Sequence, residues 1–245
     1  MFFWPRSIFM SEEIKVYIQG NPDARYQCLL MHGFGADAND LMGLSSEINT
    51  KTDIQFLFPQ APYTIQIADS VYGTAWFPRT EDEVMQAFTG DYFTDLAEKN
   101  PQGLADSVDE MLEYCEKQKL DWTKLIIGGF SQGGMVAAEL ALRAPKPPAA
   151  LLLMSSSLVA RERWSKLMDD AIARWGQGVC VPLFQSHGTM DPVLSVDGGE
   201  AMYEFLSSGP FEGELYSFYG GHEIPRDTLD EVVEFIDGLA TRSAE

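Results

Sequence analysis

Along the chain, short runs of large aliphatic and β-branched residues alternate with longer segments in which apolar positions recur every three or four residues. The short runs predict strands at 14–19, 27–31, 55–58, 124–128, 149–154, 181–186 and 214–218. Most of the later ones are continuous apolar runs, the pattern of strands covered on both faces of a parallel sheet. The longer segments predict helices at 40–48, 103–119, 132–143, 161–175, 198–206 and 226–239. In the last, Leu229, Val232, Val233 and Ile236 fall on one buried face. The strands end on Gly, Ser, His or Pro, as chains do where they must bend sharply. The alternation predicts an α/β fold, a mostly parallel central sheet with helices on both faces.

One stretch breaks the alternation. From about residue 61 to 101 the chain carries Tyr63, Tyr72, Trp76, Phe77, Phe88, Tyr92 and Phe93 among Glu81, Asp82, Glu83, Asp91, Asp95 and Glu98, with no convincing strand. A connection of that length is usually functional or disordered. Its aromatic density predicts an ordered loop lying over the site described below.

The length of 245 residues, 45% of them hydrophobic, supports a sizeable core, and no linker divides the chain. We expect one domain over 11–245 and a disordered or loosely packed leader over 1–10. That leader is apolar but has no basic start and no small-residue cleavage site. Met10 is an alternative start, and a weak membrane anchor is the competing reading of the leader. No apolar run reaches the roughly 18 residues of a membrane span. Seventeen basic residues against thirty-seven acidic ones leave a formal charge of −20, which argues against binding nucleic acid or anionic headgroups. Cys28, Cys115 and Cys180 lie singly, without the close pairs of zinc or redox motifs. A reducing, cytoplasmic setting follows, with no metal.

The candidate chemistry is concentrated in few residues. His32, His187 and His222 are the only histidines, and each adjoins a glycine directly after a strand-like run. Ligands of open parallel sheets bind outside the carboxyl ends of the strands, where these three are expected to converge. The strongest motif is Gly129-Phe130-Ser131-Gln132-Gly133, between an apolar strand and a helix rich in small residues. That is the setting of a nucleophile elbow, in which Gly129 and Gly133 leave room around a strained serine.

A serine hydroxyl needs a base, and the base needs an orienting carboxylate. The chain order serine, acid, histidine is met by Ser131, Asp191 and His222. With His187 as base, the carboxylates available before it are those of the helical segment, such as Asp169 and Asp170, which fit a solvated face. Asp197 is the nearest substitute for Asp191, and Glu223 would follow the histidine rather than precede it. The backbone N–H groups of Gln132 and of Phe34, in the glycine-rich loop His32-Gly33-Phe34-Gly35, are the candidate oxyanion donors. His32 is then expected to brace that loop. Nothing resembles a P-loop or a dinucleotide fingerprint.

Residues 31–37 (MHGFGAD), 58–62 (FPQAP), 75–77 (AWF), 129–134 (GFSQGG), 187–193 (HGTMDPV) and 221–223 (GHE) together resemble the phospholipase/carboxylesterase family of α/β-hydrolases. That family includes small bacterial carboxylesterases and acyl-protein thioesterases. The resemblance implies the α/β-hydrolase fold and hydrolysis of carboxylic esters or thioesters through an acyl-serine, without a cofactor. It supports Ser131, Asp191 and His222 as triad, Phe34 and Gln132 as oxyanion donors, and Trp76, with Phe77 and Phe34, as substrate contacts. A homodimer is consistent with it. Residues 79–100 are longer than the family's usual connection, and Phe34 replaces a commoner leucine; both bear on what the site accepts. The expected activity is cleavage of small to medium acyl esters. The alternatives are an acyl-protein thioesterase or lysophospholipase with a long acyl groove, and a non-catalytic ligand-binding relative.

Overall fold

The computed structural model describes residues 13–68, 70–79 and 96–242. The expected leader over 1–10, and residues 80–95 of the aromatic stretch, lie outside the described residues. Within them, the continuous apolar runs become strands because every second side chain has a core to enter on each face. The strands are β1 (Val16–Gln19), β2 (Tyr26–Met31), β3 (Ile54–Pro59), β6 (Leu125–Phe130), β7 (Ala150–Met154), β8 (Val181–Gly188) and β9 (Phe211–Phe218). They form one sheet in the order β1-β3-β2-β6-β7-β8-β9. Only β1 is antiparallel to its neighbour; the pairings of β2, β3, β6, β7, β8 and β9 are parallel.

The pleat sorts the side chains by parity. Leu29, Leu57, Ile127, Leu151 and Leu183 enter the larger core on one face. There they meet α2 (Leu104–Lys117), α3 (Gln132–Arg143), α4 (Arg161–Trp175) and α5 (Val196–Ser207), through residues such as Met111, Leu140, Trp164 and Met202. Cys28, Leu30, Phe56, Ile126 and Leu152 point the other way, to α1 (Ala38–Ser45) and α6 (Arg226–Arg242). Leu229, Val232 and Ile236 form the buried face of α6, as their spacing requires. Helix α1 begins earlier than the periodicity suggests. Asp37 caps it, accepting the Asn39 N–H at 2.7 Å, while Asp40 accepts the Asp37 N–H at 2.8 Å.

The stretch from 61 is corrected in its first part. Tyr63–Ala68 and Val71–Ala75 are strands β4 and β5 of an antiparallel hairpin, not a loop. Tyr63, Ile65 and Ala75 are buried with Phe34 packed against them, whereas Ile67, Val71 and Tyr72 are exposed. Apolar residues on both faces hide the period of two that marks a strand.

Helix α3, which follows Ser131, is buried from Gln132 to Leu142. Its small residues let it lie close under the sheet. Glu139 is buried within it and is met by Arg163, by the Trp164 indole N–H at 2.9 Å and by Arg143 at 3.5 Å. Burial raises its carboxyl above the usual range despite those partners.

Candidate active site

Strand β6 delivers Ser131 into the first turn of α3. Its backbone, at φ 55° and ψ −120°, occupies the sparsely populated left-handed half of conformational space. The turn is tight enough that a Cβ at Gly129 would overlap the Gly133 backbone, and one at Gly133 would overlap the Met31 and His32 carbonyl oxygens. The strain is held in place from below. Ser131 N–H bonds the Met154 carbonyl at 2.9 Å, and its own carbonyl accepts the Ser156 hydroxyl at 2.9 Å.

The structure brings Ser131, His222 and Asp191 together from the ends of three strands. His222 Nε2 lies 2.8 Å from Ser131 Oγ, and His222 Nδ1 lies 2.7 Å from Asp191 Oδ2. Both are hydrogen-bond distances, so one imidazole joins hydroxyl to carboxylate. The Asp191 side chain is wholly buried. Its Oδ1 accepts the N–H groups of Val193 at 2.7 Å and Leu194 at 2.9 Å. Burial alone would raise this carboxyl, but the His222 N–H, the two amides and the charge of His222 outweigh it and hold it below the usual carboxylate range. The His222 ring rests against Phe130, with centroids 4.8 Å apart.

The strand order reverses between β2 and β6, which are neighbours in the sheet while the chain leaves them in opposite directions. That is the position at which open α/β sheets bind ligands. The loop after β2 supplies Gly33 and Phe34 there. A Cβ at Gly33 would lie 3.3 Å from Ser131 Cβ, so this loop sits against the serine. Gln132 N–H is in the first turn of α3, where no intrahelical carbonyl is within reach. The Phe34 ring faces the hairpin, with the Arg79 guanidinium 5.3 Å from its centroid.

Trp76 and Phe77 are buried in the larger core cluster, and Trp76 donates its indole N–H to His32 O at 2.8 Å. The other two histidines have local duties. His32 donates from Nδ1 to Gly33 O at 2.8 Å and accepts the Ala61 N–H on Nε2 at 3.1 Å, an arrangement that fixes its tautomer and braces the loop. Burial lowers its pKa. His187 donates from Nε2 to Leu194 O at 2.8 Å and does not reach Ser131 as a partner. Asp169, Asp170 and Asp197 are exposed on helices, and Glu223 accepts the Gly221 N–H at 3.1 Å, closing the turn before His222. Among the described residues, no group of three or more His, Cys, Asp or Glu is placed to hold a metal.

Residues that motif reading passes over also build the site. Ser155, at φ 44°, bonds the Glu223 carbonyl at 3.1 Å, and Ser156 bonds Ser131. Their signal is the run Ser155-Ser156-Ser157 directly after β7, polar residues at the carboxyl edge of a central strand.

A serine on a strand-to-helix elbow, at the carboxyl edge of a mostly parallel sheet, bonded to a histidine that is in turn bonded to an acid, both from later strand ends, defines the architecture of an α/β-hydrolase. The chain belongs to the phospholipase/carboxylesterase family, whose sequence profile matches residues 13–240. The acyl-protein thioesterase 1 of Candida albicans is 29% identical over 233 residues, covering 89% of this chain and 94% of that protein. Among solved structures, esterase PE8 superposes with a TM-score of 0.70 at 23% identity, over 93% of this chain and 99% of that one. The Bacillus cereus carboxylesterase does so at 0.64 and 18%, over 93% and 95%.

Proposed function

We propose that this chain hydrolyses carboxylic esters of small to medium acyl chains through an acyl-serine intermediate. Ser131 is the nucleophile, His222 the base and Asp191 the carboxylate that orients it. The observation that carries the reading is the unbroken line from Ser131 Oγ to His222 Nε2 at 2.8 Å and from His222 Nδ1 to Asp191 at 2.7 Å. Ser131 Oγ attacks the acyl carbon while its proton passes to Nε2. The carbonyl electron pair moves onto oxygen, where the N–H groups of Phe34 and Gln132 receive the charge. Collapse expels the alkoxide, which takes the proton from His222. Water then enters and its oxygen attacks the acyl carbon while its proton passes to the same nitrogen; collapse breaks the bond to Ser131 Oγ, which takes that proton back from His222 as the carboxylic acid leaves. We assign the acyl side to Phe34, with Trp76 and Phe77 packed behind it.

Thioesters are the second reading, favoured by relatives such as the Candida albicans acyl-protein thioesterase 1. The chemistry is the same with a thiolate leaving; only the acyl site and leaving group differ. The setting we assign is cytoplasmic, in line with three cysteines outside any disulfide, two of them buried with thiols pushed up to about 12. Among the described residues no helix is long and apolar enough to cross a membrane.

The test is hydrolysis of a chromogenic ester series from two-carbon to long-chain acyl groups, with Ser131→Ala as blank. Serine-dependent turnover peaking at short or medium chains supports the reading. A long-chain optimum, or turnover of acyl thioesters alone, transfers it to the thioesterase. No turnover of either class above the blank overturns it.

A further inference from the structure

The second strand-end histidine has no part in the reaction as drawn, yet it is fully buried four residues before Asp191. We propose that His187 is a positioning residue for Asp191, acting through Leu194; the inference rests on the hydrolase reading above. Its Nε2 lies 3.5 Å from Asp191 Oδ2 but 2.8 Å from Leu194 O. The proton on Nε2 therefore goes to the carbonyl, and the carboxylate is left to His222. Leu194 is held at both ends of its backbone. Its carbonyl is fixed by His187, and its N–H, fixed in turn, holds Asp191 Oδ1 at 2.9 Å beside the N–H of Val193.

The turn that carries Asp191 is thus tied down on two sides. At its start, Thr189 N–H bonds Phe218 O and Met190 N–H bonds Gly220 O, each at 2.9 Å, which links it to the strand end that precedes His222. At its far end the tie is the His187 ring. That ring is itself seated by backbone: a Cβ at Gly199 would overlap Nδ1 and lie 2.9 Å from Cγ, so only glycine lets α5 come this close. Gln185 Nε2 fastens the same glycine by its carbonyl at 2.6 Å. Nδ1 has no hydrogen-bond partner among the described residues. With Nδ1 unpaired, the hydrogen bond of the ring is the one from Nε2 to Leu194 O, and losing it would strand that carbonyl. A donor at the position of Nε2 is the property that the turn uses.

The consequence is catalytic because displacement of about 1 Å in such an array costs about 100-fold in rate. The experiment compares His187→Gln, whose Nε2 can reach Leu194 O, with His187→Met, which fills similar space without a donor. Each is assayed on the ester or thioester that the wild type turns over, with kcat normalised to sites titrated by a serine-reactive phosphonate. We expect His187→Met to lose about 10- to 100-fold in kcat with KM within about twofold, and His187→Gln to stay within about threefold of wild type. In the Asp191→Asn background, His187→Met should cost little further, since it acts through that carboxylate. Gly199→Ala, which displaces the ring from the opposite side, repeats the kcat loss should His187→Met not accumulate folded. Wild-type kcat per titrated site in His187→Met, equal losses in the Met and Gln variants, or full additivity with Asp191→Asn would overturn the inference while leaving the hydrolase reading intact. Absence of Ser131-dependent turnover and labelling in the wild type would instead overturn the reading on which it rests.

Discussion

The side-chain oxygen of Gln132 accepts the backbone N–H of Trp76 at 2.9 Å, and its Nε2 donates to Phe77 O at 2.8 Å. The residue proposed to supply one oxyanion amide therefore clamps the two residues behind the proposed acyl side with its own side chain. Gln132→Leu keeps the amide but strands a buried N–H and a buried carbonyl, each at a cost of about 1–3 kcal/mol. We expect a total loss of about 2–6 kcal/mol in urea unfolding, together with altered acyl-chain discrimination. An unchanged unfolding midpoint would show that the clamp contributes nothing.

The glycines of this chain divide into those that close contacts require and those that none does. A Cβ at Gly133 meets two backbone oxygens that cannot retreat, whereas one at Gly238, within α6, meets nothing within 4 Å. Gly133→Ala should lose about 3 kcal/mol or fail to accumulate. Gly238→Ala should gain about 0.5–1 kcal/mol by restricting the unfolded chain and favouring the helix. Denaturant unfolding of the pair checks both signs at once.

How far the sequence alone leads depends on which interactions are local. Ser131 and its elbow can be read because strand, glycines and helix adjoin in the chain, and Asp191 and His222 because strand ends of a parallel sheet share one edge. The β4–β5 hairpin escapes notice because Ile67, Val71 and Tyr72 are apolar yet exposed. The clamp by Gln132 and the tie between His187 and Leu194 are side-chain bonds to backbone, and spacing carries no record of which backbone group a side chain will find. His187 and His222 look alike as strand-end histidines; which of them meets Ser131 is decided by the turn geometry after β8 and β9.

Glu139 makes a different kind of claim on stability. Its carboxylate is fully buried, while Arg163 and Arg143 keep about a quarter of their side chains exposed. Removing the carboxylate by Glu139→Ala leaves both guanidiniums a route to water but strands the Trp164 indole N–H. The loss should therefore fall near 3 kcal/mol, the low end for breaking a buried pair. Amide exchange should rise first in α4, which the pair holds against α3; a uniform rise across the sheet would refute that localisation.

Asp191 couples the proposed chemistry to acid stability. Its carboxyl is held below the usual range in the folded chain and returns to about 3.9 when unfolded. Between those two values the unfolded chain binds more protons, so the unfolding free energy must fall as the pH falls. The contribution of Asp191 is fully present above the unfolded value and is lost as the pH drops through the folded one. Asp191→Asn has no such proton to bind. Its unfolding free energy should decline less steeply than that of the wild type between about pH 5 and pH 2. At neutral pH the same variant should lose about 10⁴-fold in kcat, because an amide no longer selects the tautomer in which His222 Nε2 can accept the serine proton. Parallel acid slopes in the two proteins would remove Asp191 from the acid response. A near-normal kcat would remove it from the reaction.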